Sequence, residues 1–295
     1  MIVAIASGKG GTGKTTVSAS LASVWAEALA RPVMAVDLDV EEPNLHLFLR
    51  PVITRTQAAN LEIPVVDADI CTRCGECREL CQFGAITIMG DMPMVFAEMC
   101  HGCGGCRAIC PVAAIGRGTR ELGRIEEGSA GAIGFLNGRL RIGEAMSPPL
   151  IRAVLARLDS LLQKAGAPGP DVLLDAPPGV SCPAVAAVAE ADGIILVTEP
   201  TPFGIHDFKL AVEAFTPLGK PMAVVVNRAG AGTGELHAVC REASLPILAE
   251  IPDDRAVAEA YARGKLLADV DAAYRTMCLG LAEAVAKHVR EGRHA

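Results

Sequence analysis

Aromatic residues make up only 3% of the 295 residues, with one tryptophan and two tyrosines. That scarcity argues against a stacking platform for single-stranded nucleic acid. Basic clusters are missing as well: 27 lysines and arginines stand against 34 acidic residues, and no Lys/Arg-rich block occurs. With a formal charge of −7, a nucleic-acid partner is not expected. No apolar run reaches membrane-spanning length, and the first residues lead straight into a glycine-rich loop without a basic leader or cleavage site, so a cytoplasmic protein is expected. The last helical stretch carries Lys287, His288, Arg290, Arg293 and His294 but no Trp or Phe on an apolar face, which reads as a solvated helix and not a stable membrane anchor. Two things are plentiful. Apolar residues, at 51%, supply an ample core, and there are eleven cysteines. In a reducing compartment that many thiols point to metal rather than to disulfides.

The opening apolar strand, Met1 to Ala6, runs into Ser7-Gly8-Lys9-Gly10-Gly11-Thr12-Gly13-Lys14-Thr15-Thr16, and Gly8 to Thr15 fits G-x-x-x-x-G-K-[ST]. In such a loop, glycines let backbone N–H groups wrap a polyphosphate at the start of a helix, here Val17 to Leu29. Gly8 to Thr16 are thus expected to cradle ATP or ADP, with Lys14 neutralising the β- and γ-phosphates and Thr15 offering its hydroxyl to Mg²⁺. Two further apolar strands end in carboxylates: Val33 to Val36 in Asp37-Leu38-Asp39, and Asp171 to Leu174 in Asp175-Ala176-Pro177-Pro178-Gly179. The carboxyl edge of a parallel sheet is where such folds bind their ligand. Asp175 is expected to hold Mg²⁺ through water. Beyond it, helices and strands alternate to the end, which predicts an α/β fold with a doubly wound, mainly parallel sheet. Ser147-Pro148-Pro149 reads as a helix start with serine as the cap.

Between these parts lie Cys71-x-x-Cys74-x-x-Cys77-x-x-x-Cys81 and Cys100-x-x-Cys103-x-x-Cys106-x-x-x-Cys110-Pro111, each followed by a similar tripeptide, Gly84-Ala85-Ile86 and Ala113-Ala114-Ile115. This duplicated spacing is similar to that of bacterial two-cluster ferredoxins, in which the fourth cysteine of each run ligates the other cluster. One [4Fe–4S] cluster is then expected on Cys71, Cys74, Cys77 and Cys110, and a second on Cys81, Cys100, Cys103 and Cys106. Gln82 departs from the pattern, which has proline there. His101 is expected to tune or shield a cluster. The division expected is an ATPase domain over 1–61 and 120–295 with an inserted α+β ferredoxin-like domain over 62–119. Glu121 to Arg141 reads as β-ribbon or loop.

The second lysine of the loop narrows the reading. Lys9-Gly10-Gly11-Thr12-Gly13-Lys14-Thr15 resembles the deviant phosphate loop of MinD/ParA-type ATPases, a superfamily that includes the nitrogenase iron protein. The resemblance implies that Lys9 reaches across a nucleotide-sandwich dimer to the partner's phosphates, that Asp39 orients the attacking water, and that Asp37 helps hold the Mg²⁺ shell. It also implies a base site at Asn227-Arg228 and Pro252-Asp253. Cys182 lies seven residues past Asp175, the offset at which the nitrogenase iron protein has a cluster ligand, so it is either an interface or relay thiol or a small buried one. Cys240 and Cys278 read as core.

The function implied is an ATP-hydrolysing iron–sulfur protein in which nucleotide-driven dimer changes are coupled to electron transfer, with a homodimer or a related ATPase as partner and an unidentified redox or client protein. Two alternatives stay open: a cluster scaffold or carrier, and a docking or positioning switch with structural or redox-sensing clusters. A carrier's separate C-x-x-C outside the insert is absent.

Overall fold

The structure, a computed structural model, describes residues 1–90, 92–230 and 232–292. It begins with β1 (Ile2–Ala6), whose IVAIA sequence suits a strand covered on both faces, and the phosphate loop then delivers the chain into α1 (Lys14–Leu29). β2 (Val33–Asp37) and the short α2 (Leu45–Leu49) follow. β3 (Val52–Val66) leads to the cysteine region, which holds α3 (Glu76–Leu80), the hairpin β4 (Ile86–Met89) and β5 (Met92–Val95), and α4 (Gly105–Ile109). The chain returns along β6 (Ile115–Ala130) and β7 (Ile133–Leu140) into α5 (Ser147–Ala165) and β8 (Asp171–Asp175). Then come α6 (Cys182–Val188), β9 (Gly193–Thr198), α7 (Pro202–Phe215), β10 (Met222–Ala229), α8 (Thr233–Glu242), β11 (Ile247–Pro252), α9 (Arg255–Ala262) and α10 (Ala272–Gly292).

Among the described residues nine strands form one sheet in the order β11-β10-β9-β1-β8-β2-β7-β6-β3. The strands from β11 to β7 run parallel, and β6 and β3 close the far edge antiparallel. The expected mainly parallel α/β sheet is therefore present. Successive residues of each central strand go to opposite faces: Ala4, Val36, Leu174 and Leu196 pack with α5, α6 and α7, while Val3, Ile5, Leu173 and Ile195 pack with α1 and α10. The solvated final helix of the sequence reading needs correction. Cys278, Leu281, Val285 and Val289 bury a stripe of α10, and Lys287 and Arg290 lie off that stripe; Arg293 and His294 fall outside the described residues. Ser147 also differs from expectation, since Met146 holds the capping position and the Glu144 carboxylate accepts the Met146 N–H at 3.0 Å.

Of the segment expected as β-ribbon or loop, residues 121–130 and 133–140 are strand, and they belong to the main sheet. β6 pairs with β7 only from Gly123 onward, whereas β3 stays paired with β6 to Val66↔Ile115. Residues 60–66 and 115–121 thus extend past the sheet as a two-stranded ribbon with the cysteine region at its tip. The 61/62 and 119/120 divisions fall inside these strands.

Candidate functional site

The phosphate loop, Asp175 and Asp37 converge because their strands are neighbours in register: Ile5 lies opposite Asp175, and Asp175 opposite Asp37. Gly13 is at φ 91°, and a Cβ there would come within 2.2 Å of Asn227 Nδ2, which donates to the Thr12 carbonyl at 2.8 Å. Only glycine allows the loop to pass so close to β10. Lys14 Nζ reaches Asp175 Oδ1 at 2.7 Å, the Thr15 hydroxyl donates to Asp175 Oδ2 at 2.8 Å, and the Ser18 hydroxyl is 2.8 Å from Oδ1. Lys14 and Asp175 are both buried.

Carboxylates crowd this edge. Asp37 is fully buried and accepts the N–H groups of Asp39 and Leu45; burial, then the Asp175 charge, push its carboxyl well above the usual range. Burial likewise pushes Asp39 up to about 6, against the pull of Lys14. Such crowded acids are suited to a divalent cation, which would reverse the penalty on their charge. On the next strand Asn137 lies opposite Asp37, fully buried, with neither amide atom partnered among the described residues.

Lys9 turns away from this cluster. Its ammonium pairs with Glu199 at 2.5 Å, and Arg228 pairs with the same carboxylate at 2.9 Å. Burial works against the Glu199 charge, yet Lys9, Arg228 and Thr201 together hold its carboxyl below the usual carboxylate range. A cavity of about 260 Å³ lies beside the loop, lined by Gly11, Gly13, Thr16, Asn227, Arg228, Pro252, Asp253 and Tyr261. The four residues read as a base site thus share one wall with the phosphate loop. Sequence reasoning missed Ser18, Asn137 and Glu199. Ser18 could have been found as the residue one helical turn after Lys14; the other two carry no local signal.

The two cysteine runs repeat in backbone as well as in spacing. α3 and α4 each span five residues and start after a left-handed glycine, Gly75 and Gly104, and the residues two before them, Arg73 and Gly102, also have positive φ. Cys71, Cys74, Cys77 and Cys110 line one cavity; Cys81, Cys100, Cys103 and Cys106 line another of about 260 Å³. The thiols are therefore grouped by site with the fourth cysteines exchanged. Among the described residues no three His, Cys, Asp or Glu side chains are drawn close enough to grip a single metal ion. Two backbone donors face the thiols: Gly102 N–H points at Cys100 Sγ (3.4 Å) and Ala114 N–H at Cys110 Sγ (3.3 Å), the kind of donor that stabilises anionic sulfur. Phe83 and His101 stack at 3.7 Å over the second cavity.

His101 also lines a different cavity of about 450 Å³, whose other walls include Glu41, Ser147, Arg152, Ser181 and Pro183. Glu41 is two residues past Asp39, and Ser181 and Pro183 flank Cys182. Cys182 is exposed at the start of α6, which corrects the buried-thiol alternative: the first turn faces outward before the helix buries Ala184, Ala187 and Val188. Cys240 and Cys278 are buried, their thiols pushed up to about 11 by desolvation, which leaves them inert. Among the described residues no helix is long and apolar enough to cross a membrane.

Comparison with known proteins agrees with the loop and sheet. Residues 3–267 match the CobQ/CobB/MinD/ParA nucleotide binding domain. An uncharacterised Methanocaldococcus jannaschii protein, MJ0578, is 34% identical over 237 residues, 78% of this chain and 79% of that one. An uncharacterised ATP-binding protein of the same organism, MJ0169, is 27% identical over 88% of this chain and 77% of its own. Among solved structures, the septum site-determining protein MinD of Pyrococcus horikoshii, complexed with Mg-ADP, superposes with a TM-score of 0.57 at 23% identity, covering 97% of this chain and 96% of that one. MinD in the Aquifex aeolicus MinC:MinD complex gives 0.57 at 16%, covering 97% and 96%. With the family profile spanning the phosphate loop, Asp175 and the base-side cavity alike, the chain belongs to the CobQ/CobB/MinD/ParA nucleotide-binding family.

Proposed function

We propose that this chain is a two-subunit ATPase that couples nucleotide binding and hydrolysis to electron transfer through two [4Fe–4S] clusters in its ribbon-borne insert. The observation that carries the redox half is the sorting of eight cysteines into two cavities, 71/74/77/110 and 81/100/103/106, a partition made by the fold that matches the exchange implied by spacing. Clusters held there would supply one-electron transfer at low potential. The second cavity is walled largely by apolar groups, with the stacked Phe83–His101 pair among them.

On the ATPase side, Lys14 and the loop amides bind the phosphates, Thr15 and Asp175 take the cation's water shell with Asp37 behind them, and Asp39 holds the attacking water. Phosphoryl transfer needs little more than such positioning and charge neutralisation. Lys9 acts on the partner's nucleotide. Asn227, Arg228, Pro252 and Asp253 bind the base. Support for coupling comes from the cavity that His101 shares with Glu41 and Ser181, since both loops that flank the γ-phosphate position border the second cysteine run.

The test is an anaerobic EPR redox titration of purified protein without nucleotide, with ADP, and with a non-hydrolysable ATP analogue, after iron and sulfide analysis. A potential shift of about 60 mV, roughly 1.4 kcal/mol for one electron, is expected with the ATP analogue, and linkage requires the reciprocal change in nucleotide affinity. Protein purified anaerobically with no iron or sulfide would overturn the redox half; clusters indifferent to nucleotide would leave a docking switch as the better reading.

A further inference from the structure

Glu199 follows β9, the strand beside β1, and is 5% exposed. Its Oε1 lies 2.5 Å from Lys9 Nζ and accepts from the Thr201 hydroxyl at 3.2 Å, while Oε2 accepts from Arg228 Nη1 at 2.9 Å. One buried carboxylate therefore holds two cations from opposite sides of the nucleotide site, Lys9 from the phosphate loop and Arg228 from the base-side cavity. The cations keep 28% and 57% of their side chains in solvent and are free to leave; Glu199 is not. Arg228 adopts φ 53°, a left-handed conformation that a residue with a side chain keeps only where its surroundings fix it.

We infer that Glu199 is a latch for Lys9 within one subunit: it keeps the ammonium on its own chain, and pairing of two subunits over ATP requires Lys9 to exchange Glu199 for the partner's phosphates. This rests on the two-subunit ATPase reading above. A triphosphate is the competitor that chemistry favours, because it offers several anionic oxygens where Glu199 offers one carboxylate. Release does not strand the buried charge, since Arg228 and Thr201 stay on Glu199; a buried carboxylate with no partner left would hold Lys9 permanently. The latch thus resists pairing in the absence of a facing triphosphate and yields in its presence.

Glu199→Gln keeps the shape and the Thr201 contact but removes the charge. On the full chain two quantities decide: the rate at which Lys9 is acylated in nucleotide-free protein, read by peptide mass spectrometry, and the self-association constant with a non-hydrolysable ATP analogue, read by sedimentation. E199Q is expected to acylate Lys9 several-fold faster and to self-associate about fivefold more tightly, with the gain abolished in a Lys9→Ala background. Unchanged acylation overturns the latch, as does faster acylation with unchanged or weaker association. Faster acylation with both proteins monomeric overturns instead the two-subunit reading and the exchange built on it. Should E199Q misfold, Arg228→Ala leaves Lys9 as the sole cation on Glu199 and must slow acylation; an unchanged or faster rate overturns the latch.

Discussion

Lys14 Nζ lies 2.7 Å from Asp175 Oδ1, across 161 residues of sequence, and both side chains are buried. The group assigned to phosphate and the group assigned to the cation shell thus satisfy one another. Removing Lys14 leaves Asp175 beside Asp37 without its cationic partner. Lys14→Ala is therefore expected to lower stability by about 3 kcal/mol as well as to abolish nucleotide binding. Thermal unfolding of nucleotide-free protein together with titration of a fluorescent ATP analogue checks both. Lost binding with an unchanged melting temperature would mean that the ion pair contributes nothing to the resting fold.

Ser18 makes a narrower test. Its hydroxyl is one of three donors around the Asp175 carboxylate, 2.8 Å from Oδ1, and it also lies 3.0 Å from the Lys14 carbonyl. Ser18→Ala should cost about 1 kcal/mol of Asp175 positioning, seen as several-fold weaker binding of Mg-ATP with binding of ATP in EDTA unchanged. Equal weakening with and without Mg²⁺ would place Ser18 on the loop and not on Asp175.

The contrast between Lys14 and Ser18 shows what was legible from sequence. The phosphate loop and the cysteine runs are local spacings, so a chain read one residue at a time reveals them. Asp37 and Asp175 were legible because an acid closing an apolar strand stands at a known edge of a parallel sheet. Glu199 and Asn137 were not: their meaning comes from which strands lie side by side, β9 next to β1 and β7 next to β2, and strand order is set by the whole sheet. The ribbon escaped notice for a related reason. Residues 60–66 and 115–121 pair across the entire cysteine region; Leu61, Ile63 and Val65 alternate, but Ile115 is the one large apolar residue in its partner segment, so nothing local announces the pair. Cys182 was ambiguous because a helix's first turn can face either way.

Asp39 fixes a pH dependence. Its carboxyl is raised from 3.8 to about 6, with burial as the largest cause, so between these values the folded chain binds more protons than the unfolded one. Stability from this group is then greatest below pH 4 and falls as pH rises to about 6. In EDTA without nucleotide, the melting temperature of Asp39→Asn minus that of the parent should grow through that window and level off above it. A difference that is flat with pH would show that Asp39 is not held against ionisation. Mg-ADP should shrink the difference, because the cation compensates the crowded charge.

The exchange of fourth cysteines gives the sharpest test of the insert. If Cys110 serves the site of Cys71, Cys74 and Cys77, then Cys110→Ala and Cys74→Ala must leave the same residual EPR spectrum, and Cys81→Ala and Cys103→Ala must leave the other. Each single substitution should bring iron from about eight atoms per chain to about four. The geometry behind this is the placement of α3 and α4: each helix presents the third cysteine of its own run, and each chain then turns extended at its fourth cysteine, Cys81 or Cys110, away from its own cavity. Cys110→Ala grouping with Cys103→Ala would mean that each run binds its own cluster. In that case Cys110 would have to turn back past Ala113, whose positive φ and whose neighbour's N–H on Cys110 Sγ hold it where it is.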